Sequence, residues 1–332
     1  MQVAIVGTGK VAEQNYIPSL LRHADVSLTC YSRTLARARY VGQKFGVPVA
    51  RTLEELFERQ PEAIFVLTLE QDRLEAARSL LPFKPKRLFL EKPLTARGGQ
   101  GHVVTQDFWD AKGLLLQAQE IGTEVAMVFN YRFFDQVQRA RELIRERNFG
   151  PAVNVVCLTH FACWSHCIDL ILEFAGPLHE ISARSGPQLR PFESGMVTDL
   201  AVSFLCGDQA AGTLLGTAGM NWDFPLFELI INLERGRIHL RDLDQQMEML
   251  DYRDNVHQVF APRRDTSRWA KYDESFDKSI SAYLASIRQS APPPVPGLAG
   301  LLELQFEAGL KKAIAEGRPV AVRDEFPIEP VR

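Results

Sequence analysis

The first twenty residues of this 332-residue chain constrain its fold more than any other stretch. Gln2 to Val6 form a short apolar run, which is typical of a strand buried in a parallel sheet. A G-x-G-x-x-A turn follows, made of Gly7, Thr8, Gly9, Lys10, Val11 and Ala12. Apolar residues then recur at helical spacing as far as Leu20. The stretch therefore predicts a strand, a tight turn and a helix in immediate succession.

This strand–turn–helix context is the one in which a glycine-rich turn binds a dinucleotide. Gly7 permits the tight turn, Gly9 lets the backbone approach a pyrophosphate, and Ala12 allows the helix to pack closely on the strand. The helix N-terminus offers unpaired N–H groups and a positive dipole end to the phosphates. An ordinary βα turn is the alternative, but the flanking strand and helix favour a bound dinucleotide.

Composition and charge limit the classes of partner. Hydrophobic residues make up 46% of the chain and charged residues 24%, which is ordinary for a globular protein. The net charge is −3 with no long basic run, so we expect no nucleic-acid partner. No apolar stretch is long enough to cross a membrane, and the early strand leaves no room for a signal peptide. Five cysteines, an odd number, indicate reduced thiols, and we expect a cytoplasmic protein.

The length and the order of the predicted elements indicate two domains. Strands alternate with helices as far as a last strand at 124–129, which predicts a doubly wound parallel sheet of the Rossmann type. Residues 95–110 contain three glycines and are predicted to be a loop. We place the boundary of this α/β domain at residue 122.

The second predicted domain spans residues 123–332 and has a different order of strands and helices. Several strand-like runs follow one another without intervening helices, which indicates a large, open and mostly antiparallel sheet. Helices are predicted over 275–290 and 298–316, so the domain is of the α+β type. The uncovered face of its sheet is apolar, and we expect a homodimer or homotetramer.

Five short motifs follow one another along the chain. They are Gly7–Ala12, Thr68 after a strand, Glu91-Lys92-Pro93, Asn130-Tyr131-Arg132-Phe133, and His166-x-x-Asp169 followed by Gly176. In this order they resemble the Gfo/Idh/MocA oxidoreductases, and the likeness covers nearly the whole chain. The resemblance implies an NAD(P)-dependent dehydrogenase or reductase that acts on CH–OH groups. Its small-molecule substrate would be a sugar-like or cyclic polyol, or the corresponding keto form.

Lys92 is the strongest candidate for a catalytic residue. It ends a predicted parallel strand, which is where ligands bind in such sheets. An ammonium group there can polarise a substrate oxygen and help to move its proton. Glu91 would hold Lys92 in place, and both residues are implied to contact the cofactor as well. The alternative is a surface lysine before the turn-forming Pro93.

His166 is the second catalytic candidate implied by the resemblance. The family pattern has an aspartate four residues before its catalytic histidine, and this chain has Ala162 there. His166 alone can still act as an acid or base near neutral pH. Asp169, one helical turn later, would either orient His166 and contact the substrate or have a structural role. A histidine held by backbone contacts at a helix start is the alternative for His166.

A metal site in the same segment is predicted to be absent. His160, Cys163, His166 and Cys167 lie within eight residues and form a ligand set that zinc accepts. All four come from one short segment, however, and two cysteines at i,i+4 spacing are typical of a buried helix stripe.

Cofactor choice depends on the residues after the second predicted strand. NAD sites usually have an acidic residue there, which binds the ribose hydroxyls. This chain has Ser32, Arg33 and Thr34 instead, with Arg37 one turn later. Serine and arginine suit a 2′-phosphate, because a guanidinium makes bidentate contacts. We favour NADP over NAD, the alternative being a solvated arginine at a helix start.

The resemblance also implies residues of the nicotinamide groove. Leu67 and Thr68 end the strand that lines this groove in the family, although its usual Thr-Pro pair is Thr68-Leu69 here. Asn130 and Arg132 follow the last strand of the first domain and are implied to face the same cleft. Arg132 would either hold an acidic group of the substrate or tie the two domains together.

Two other functions remain open from the sequence. The loss of the family aspartate at Ala162 suits a reductase of imines or of conjugated double bonds. A non-catalytic sensor or scaffold that binds a dinucleotide is the other function, and the intact Lys92 argues against it. Trp222, Trp269, Lys271 and Tyr272 are predicted to lie in loops of the second domain and are candidates for a sugar site, although surface aromatic residues are common.

Overall fold

The computed structural model describes residues 1–193, 195–207, 210–262 and 266–331. Residue 332, the last of the predicted second domain, lies outside this part of the chain. The first sheet has five parallel strands in the order β2-β1-β3-β4-β5, which confirms the predicted Rossmann-type domain. These strands are β1 (Gln2–Val6), β2 (Ser27–Tyr31), β3 (Ala63–Val66), β4 (Arg87–Leu90) and β5 (Glu124–Met127).

Helices connect these strands. They are α1 (residues 10–20), α2 (Leu35–Phe45), α3 (Leu53–Glu58), α4 (Glu70–Leu80) and α5 (Thr105–Glu120). The predicted loop over 95–110 is therefore wrong in its second half, where α5 already begins. The carboxylate of Asp107 explains this start, because it reaches back and accepts hydrogen bonds from the backbone N–H groups of Arg97 and Val104. The rest of the loop ends in a short 3₁₀ turn, Gln100–His102.

The helix after the glycine-rich turn is irregular. Its Ala12–Tyr16 segment is a π-helix, and an α-helical turn, Ile17–Leu20, follows. Pro18 lies in that second turn and lacks the N–H group that a regular helix needs, so a π-turn just before it accommodates the missing bond. Tyr16, at the end of the π-turn, is fully buried beneath the end of β4.

The second sheet has nine strands in the order β13-β12-β11-β10-β6-β9-β8-β7-β14. All neighbours are antiparallel except the parallel pair β6–β9, so the predicted mostly antiparallel sheet is confirmed. The strands are β6 (Ala152–His160), β7 (Leu178–Phe192), β8 (Gly195–Cys206), β9 (Ala210–Thr217), β10 (Phe227–Leu233), β11 (Gly236–Arg241), β12 (Gln246–Asp251), β13 (Val256–Phe260) and β14 (Val320–Ala321).

Helices cover one face of this sheet and join it to the first. They are α6 (Asp135–Glu146), α7 (Trp164–Ala175), α8 (Arg268–Arg288), α9 (Gly297–Glu316) and α10 (Val322–Glu325). Helix α7 packs on β6, α8 packs on α1, and α9 packs on both β7 and the Rossmann elements α5 and β5. The predicted boundary at residue 122 falls before β5, which pairs with β4 and so belongs to the parallel sheet. Among the described residues, none of the helices has both the length and the apolar character needed to cross a bilayer.

Candidate active site

A cleft of about 1010 Å³ opens at the carboxyl ends of β1 to β4. The turn after β1 forms one wall, and Leu67 and Thr68 after β3 form the other. Gly7 has a φ of +97°, and a Cβ atom there would lie 2.7 Å from the backbone nitrogen of Thr68. Only glycine satisfies both the conformation and this close approach, so Gly7 has the structural role that the sequence predicts.

The surroundings of Gly9 differ from those of Gly7. A Cβ atom at Gly9 would meet no protein atom within 4 Å, so the fold itself does not exclude a side chain there. Close approach of a ligand remains as a physical reason for glycine at this position. The hydroxyls of Thr8 and Thr68 are buried beside the cleft without hydrogen-bond partners among the described residues. Ala12 is fully buried and packs below the turn rather than lining the cleft.

Ser32, Arg33, Thr34 and Arg37, which are predicted to bind the cofactor, line the far end of the cleft. The Arg33 side chain is 64% exposed, and its guanidinium lies 2.8 Å from the carboxylate of Asp72. Arg37 is held by the protein itself, because its Nε donates to the carbonyl of Thr8 at 3.0 Å and its guanidinium contacts Glu13. Arg33 is therefore the more available of the two cations for a ligand.

Lys92, the predicted catalytic residue, follows β4 and lines the same cleft. Its backbone N–H donates to Glu91 Oε2 at 2.7 Å, and Glu91 Oε1 accepts from the hydroxyl of Tyr16 at 2.6 Å. Burial and the neighbouring Glu91 carboxylate raise the pKa of Tyr16 well above its usual value, so Tyr16 stays a donor. The Lys92 ammonium donates to Gln100 Oε1 at 2.8 Å.

Arg73 fixes the backbone around Lys92. It is 3% exposed and donates to the carbonyl of Thr68 at 2.9 Å and to the carbonyl of Pro93, which follows a cis peptide bond. Burial lowers the pKa of Arg73, but a guanidinium stays charged at any physiological pH. One cation thus links the end of β3 to the segment that carries Lys92.

The structure places His166 beside the cleft rather than in its wall. The ring is 2% exposed and stacks on Tyr131 with centroids 3.8 Å apart and an interplanar angle of 10°. Burial lowers the pKa of His166 well below its usual value, and the charge on Lys92 adds to this shift. His166 is therefore neutral near pH 7, and it can accept a proton but does not carry one to donate.

Arg132 and Asp169 are bound to each other. Arg132 Nε and Nη2 lie 2.8 and 2.7 Å from the two oxygens of Asp169, and Arg132 Nη1 contacts Glu173. Since each of the three guanidinium nitrogens already contacts a carboxylate of the protein, the geometry favours the interdomain role over substrate binding for both residues. Asn130 also lies outside the cleft wall, and its amide donates to Ser275 Oγ at 2.7 Å.

The thiols of the segment that was considered for a metal are used within the core. Cys163 Sγ accepts from the hydroxyl of Tyr131 at 3.2 Å, and Cys167 Sγ donates to Thr159 Oγ1 at 3.2 Å. Within the described part of the chain, no group of three or more His, Cys, Asp or Glu side chains is arranged to hold a metal ion.

Gln100 is the main site residue that the sequence analysis missed. It lies in the glycine-rich insertion after Pro93, and its amide joins Lys92 to the carbonyl of Phe161, the latter at 3.5 Å. Tyr272 and Phe276 of α8 also line the cleft. A glutamine among three glycines, in the loop that follows Lys92 and Pro93, is the signal that could have indicated Gln100.

Comparisons with known proteins bear on this site. Residues 1–118 match the family model GFO_IDH_MocA, described as an oxidoreductase family with an NAD-binding Rossmann fold. The Rossmann domain of this chain is therefore similar to that of the Gfo/Idh/MocA oxidoreductases. The predicted resemblance is thereby confirmed, and with it an NAD-binding oxidoreductase fold. A comparison with curated protein sequences finds no match.

Several solved structures share the fold of both domains at low sequence identity. An oxidoreductase from Agrobacterium radiobacter, solved with NAD⁺, L-tartaric acid and magnesium, has a TM-score of 0.81 at 14% identity, over 98% of this chain and 99% of that one. The WlbA dehydrogenase from Bordetella pertussis, solved with NADH and UDP-GlcNAcA, has a TM-score of 0.75 at 16% identity, over 96% and 97% of the two chains. UDP-N-acetylglucosamine 3-dehydrogenase GnnA from Acidithiobacillus ferrooxidans has a TM-score of 0.75 at 15% identity, over 95% and 98%.

Proposed function

We propose that this protein is an NAD(P)-dependent dehydrogenase or reductase that acts on a CH–OH group of a sugar-like or cyclic polyol, or on its keto form. The observation that carries the proposal is the position of Lys92, whose ammonium lies in the same cleft as the glycine-rich turn. The turn that would bind the nucleotide and the lysine that would donate the proton thus line one open cleft.

The residues present fit a dinucleotide. The cleft has a suitable volume, Gly9 leaves space beside the N-terminus of α1, and two buried threonine hydroxyls have no partner among the described residues. A buried hydroxyl without a partner is costly, so a ligand with matching groups would stabilise it. Gly7 to Val11 would hold the phosphates, and Ser32, Arg33 and Thr34 the adenosine end. When bound, a nicotinamide would supply the hydride acceptor or donor.

The protein's own chemistry would rest on Lys92. In an oxidation, its amine would take the hydroxyl proton of the substrate, and in a reduction its ammonium would give a proton to the oxygen. Glu91, Tyr16 and Arg73 hold the backbone at Lys92, so the side chain starts from a fixed point. Gln100 accepts from the Lys92 ammonium, and a substrate oxygen would replace it. His166, neutral beside Lys92, would be the second proton acceptor.

Aromatic residues beside the cleft support a ring-shaped substrate. Trp222 and Trp269 are 49% and 48% exposed, their ring centroids are 6.2 Å apart, and Tyr272 continues the row into the cleft. We propose that these rings, henceforth the aromatic wall, contact the apolar face of a sugar-like ring. Turnover of a polyol and keto-sugar panel, followed by nicotinamide absorbance, tests the function. If the cofactor binds and no substrate turns over, a dinucleotide-binding sensor is the better reading.

We predict that NADPH binds more tightly than NADH and that Arg33 carries the preference. Arg33→Ala should weaken NADPH binding about tenfold or more, because a charge-assisted contact contributes about 1.5–3 kcal/mol. NADH affinity should stay nearly unchanged. Fluorescence titration of both cofactors checks this, with Arg39→Ala as the control, since Arg39 is exposed on the helix α2 that follows Arg33 but does not line the cleft. Equal affinities for the two cofactors in the unmodified protein would contradict the assignment.

We also propose that the chain forms a homodimer or homotetramer through the uncovered face of its second sheet. Val156, Leu158 and Leu215 are 45%, 38% and 47% exposed there, and Leu158 pairs with Leu215 on the neighbouring strand. Adjacent exposed apolar side chains of this kind mark association surfaces. Solution scattering should give at least twice the mass of one chain, and a monomer would contradict this prediction.

A further inference from the structure

A second, smaller cavity of about 190 Å³ lies on the other side of Gln100 from the cofactor cleft. Gln100 lines both spaces, so its side chain forms part of the wall between them. The rings of Phe161, Trp164 and Phe192 form one side of this cavity, henceforth the α9 cavity, and α9 closes another. Neither the glycine-rich turn nor Lys92 lines it.

Helix α9 presents ionisable side chains to this region. Glu303, Glu307 and Lys311 follow at i, i+4 and i+8, which places them along one face of the helix. Glu303 and Glu307 are 1% and 3% exposed, although α9 is otherwise packed between apolar layers. Burial of two carboxyl groups is costly unless each oxygen has a donor.

Glu307 is only half satisfied. Its Oε1 accepts from the indole N–H of Trp164 at 2.5 Å, while its Oε2 is buried and has no partner within the described chain. Burial raises the pKa of Glu307, as expected for a carboxyl group that lacks donors. Because Glu307 lines the α9 cavity, a hydrogen-bond donor on a ligand there would satisfy the free oxygen.

Lys311 supplies the opposite charge one turn later. It also lines the α9 cavity, and its ammonium forms no ion pair or hydrogen bond with the described residues. Four residues of α-helix rise about 6 Å, which is the offset along the helix axis between Glu307 and Lys311. A ligand that binds both side chains therefore needs a hydrogen-bond donor and an anionic group that are only a few bonds apart. A 2-amino or 2-hydroxy acid has this spacing.

We propose that the α9 cavity is a binding site for a small 2-amino or 2-hydroxy acid. Glu307 Oε2 accepts a hydrogen bond from the amine or hydroxyl of the ligand, Lys311 pairs with its carboxylate, and Phe161 and Trp164 contact its carbon chain. The site is independent of the proposed dehydrogenase reaction, since its binding chemistry uses neither Lys92 nor the cofactor cleft.

Isothermal titration of the full chain without nicotinamide tests the site with four probes. L-serine and glycerate carry both groups, ethanolamine lacks the carboxylate, and propionate lacks the donor. Serine or glycerate, or both, should bind in the millimolar range or tighter, and whichever binds better identifies the donor. Ethanolamine and propionate should bind at least about tenfold more weakly than that ligand. Absence of binding by both two-group probes, or equal binding by all four, overturns the proposal.

Substitutions in the α9 cavity test whether the ligand binds there. Glu307→Gln keeps an acceptor for Trp164 but removes the carboxylate, and Lys311→Met removes the ammonium while keeping the side-chain length. Each should weaken binding about tenfold or more. Lys312→Met is the control, because Lys312 pairs with Glu325 outside this cavity. The NMR signal of the Trp164 indole N–H, assigned with Trp164→Phe, should shift on addition of the ligand. Unchanged affinity in both cavity variants, or a ligand that leaves this signal in place, refutes the site.

Because binding is measured without turnover, its failure and the failure of the dehydrogenase proposal are distinguishable. Loss of the α9 site would leave the role of Lys92 untouched, and a catalytically silent protein could still bind the probes. Circular dichroism of each variant shows whether the fold is retained, and the conservative Glu307→Asp variant should regain part of the affinity if Glu307 acts through its charge.

Discussion

Lys92→Met is expected to lower kcat by about 10²–10⁴-fold, which is the contribution of general acid–base catalysis by one positioned group. The methionine keeps the length of the side chain and removes the ammonium that lies beside Gln100 in the cleft. Cofactor affinity should stay nearly intact, because Lys92 lies at the opposite end of the cleft from the residues that would bind the adenosine. The measurement is kcat at saturating cofactor with the substrate that the polyol panel identifies.

A matched control is available at the other end of the same strand. Lys86→Met removes an exposed ammonium just before β4 and should leave kcat unchanged. His166→Ala should lower kcat less than Lys92→Met, since a neutral buried imidazole can only assist as an acceptor. Normal turnover by Lys92→Met would show that the resemblance has misled us about the mechanism.

The hydrogen bond between the Lys92 ammonium and Gln100 must break before that ammonium can donate to a substrate oxygen. The Gln100 amide is a neutral acceptor, so the bond to the Lys92 ammonium is weaker than an ion pair would be. A substrate oxygen can therefore replace it at low cost. Glycines on both sides of Gln100 give the insertion the backbone freedom for such an exchange.

The parts of the site that the sequence predicted are those fixed by local chemistry. A turn that needs glycine at Gly7, and a strand that ends at Lys92, leave signals in consecutive residues, and the cleft contains both. The rest depends on contacts between distant segments. The insertion that brings Gln100 to Lys92 has no periodic pattern, and its hydrogen bond depends on how the loop folds back over the strand.

The surroundings of His166 and Asp169 likewise depend on packing that the sequence pattern does not reveal. The spacing of these two residues matched the family pattern, but burial under Tyr131 and the fork with Arg132 are properties of packing between α7 and the end of the Rossmann domain. The sequence left the role of Arg132 open between substrate and structure. The sequence position of one arginine does not reveal that its guanidinium already binds two carboxylates of the protein.

Arg132→Met is expected to lower the free energy of unfolding by about 3–5 kcal/mol, the usual cost of leaving a buried charge without its partner. The Arg132 side chain is 13% exposed and that of Asp169 only 2%. Arg132 is the sole hydrogen-bond partner of the Asp169 carboxylate within the described residues. Burial would lower the pKa of Arg132, but Asp169 and Glu173 more than offset this, so the pair is charged. Urea unfolding gives the free energy.

The pH dependence of the stability of Arg132→Met distinguishes the loss of a charge pair from the loss of packing. Burial raises the pKa of Asp169 even with Arg132 opposing the shift, and without Arg132 it should rise further. The folded variant then binds a proton that the unfolded chain does not, so its stability increases as the pH falls. The deficit of Arg132→Met should therefore shrink between about pH 8 and about pH 5, and a deficit independent of pH would contradict the buried-charge explanation.

Two further variants complete the test. Arg139→Met removes an arginine of α6 that is 40% exposed and pairs with Glu142 at 2.9 Å. It should cost no more than about 1 kcal/mol, as exposed ion pairs do. Combining Arg132→Met with Asp169→Leu removes both members of the buried pair and should recover most of the lost stability, because the desolvated carboxylate is then gone. If the double variant is as unstable as Arg132→Met alone, the cost comes from the contacts of the arginine side chain, and the fork with Asp169 is not what joins α7 to the Rossmann domain.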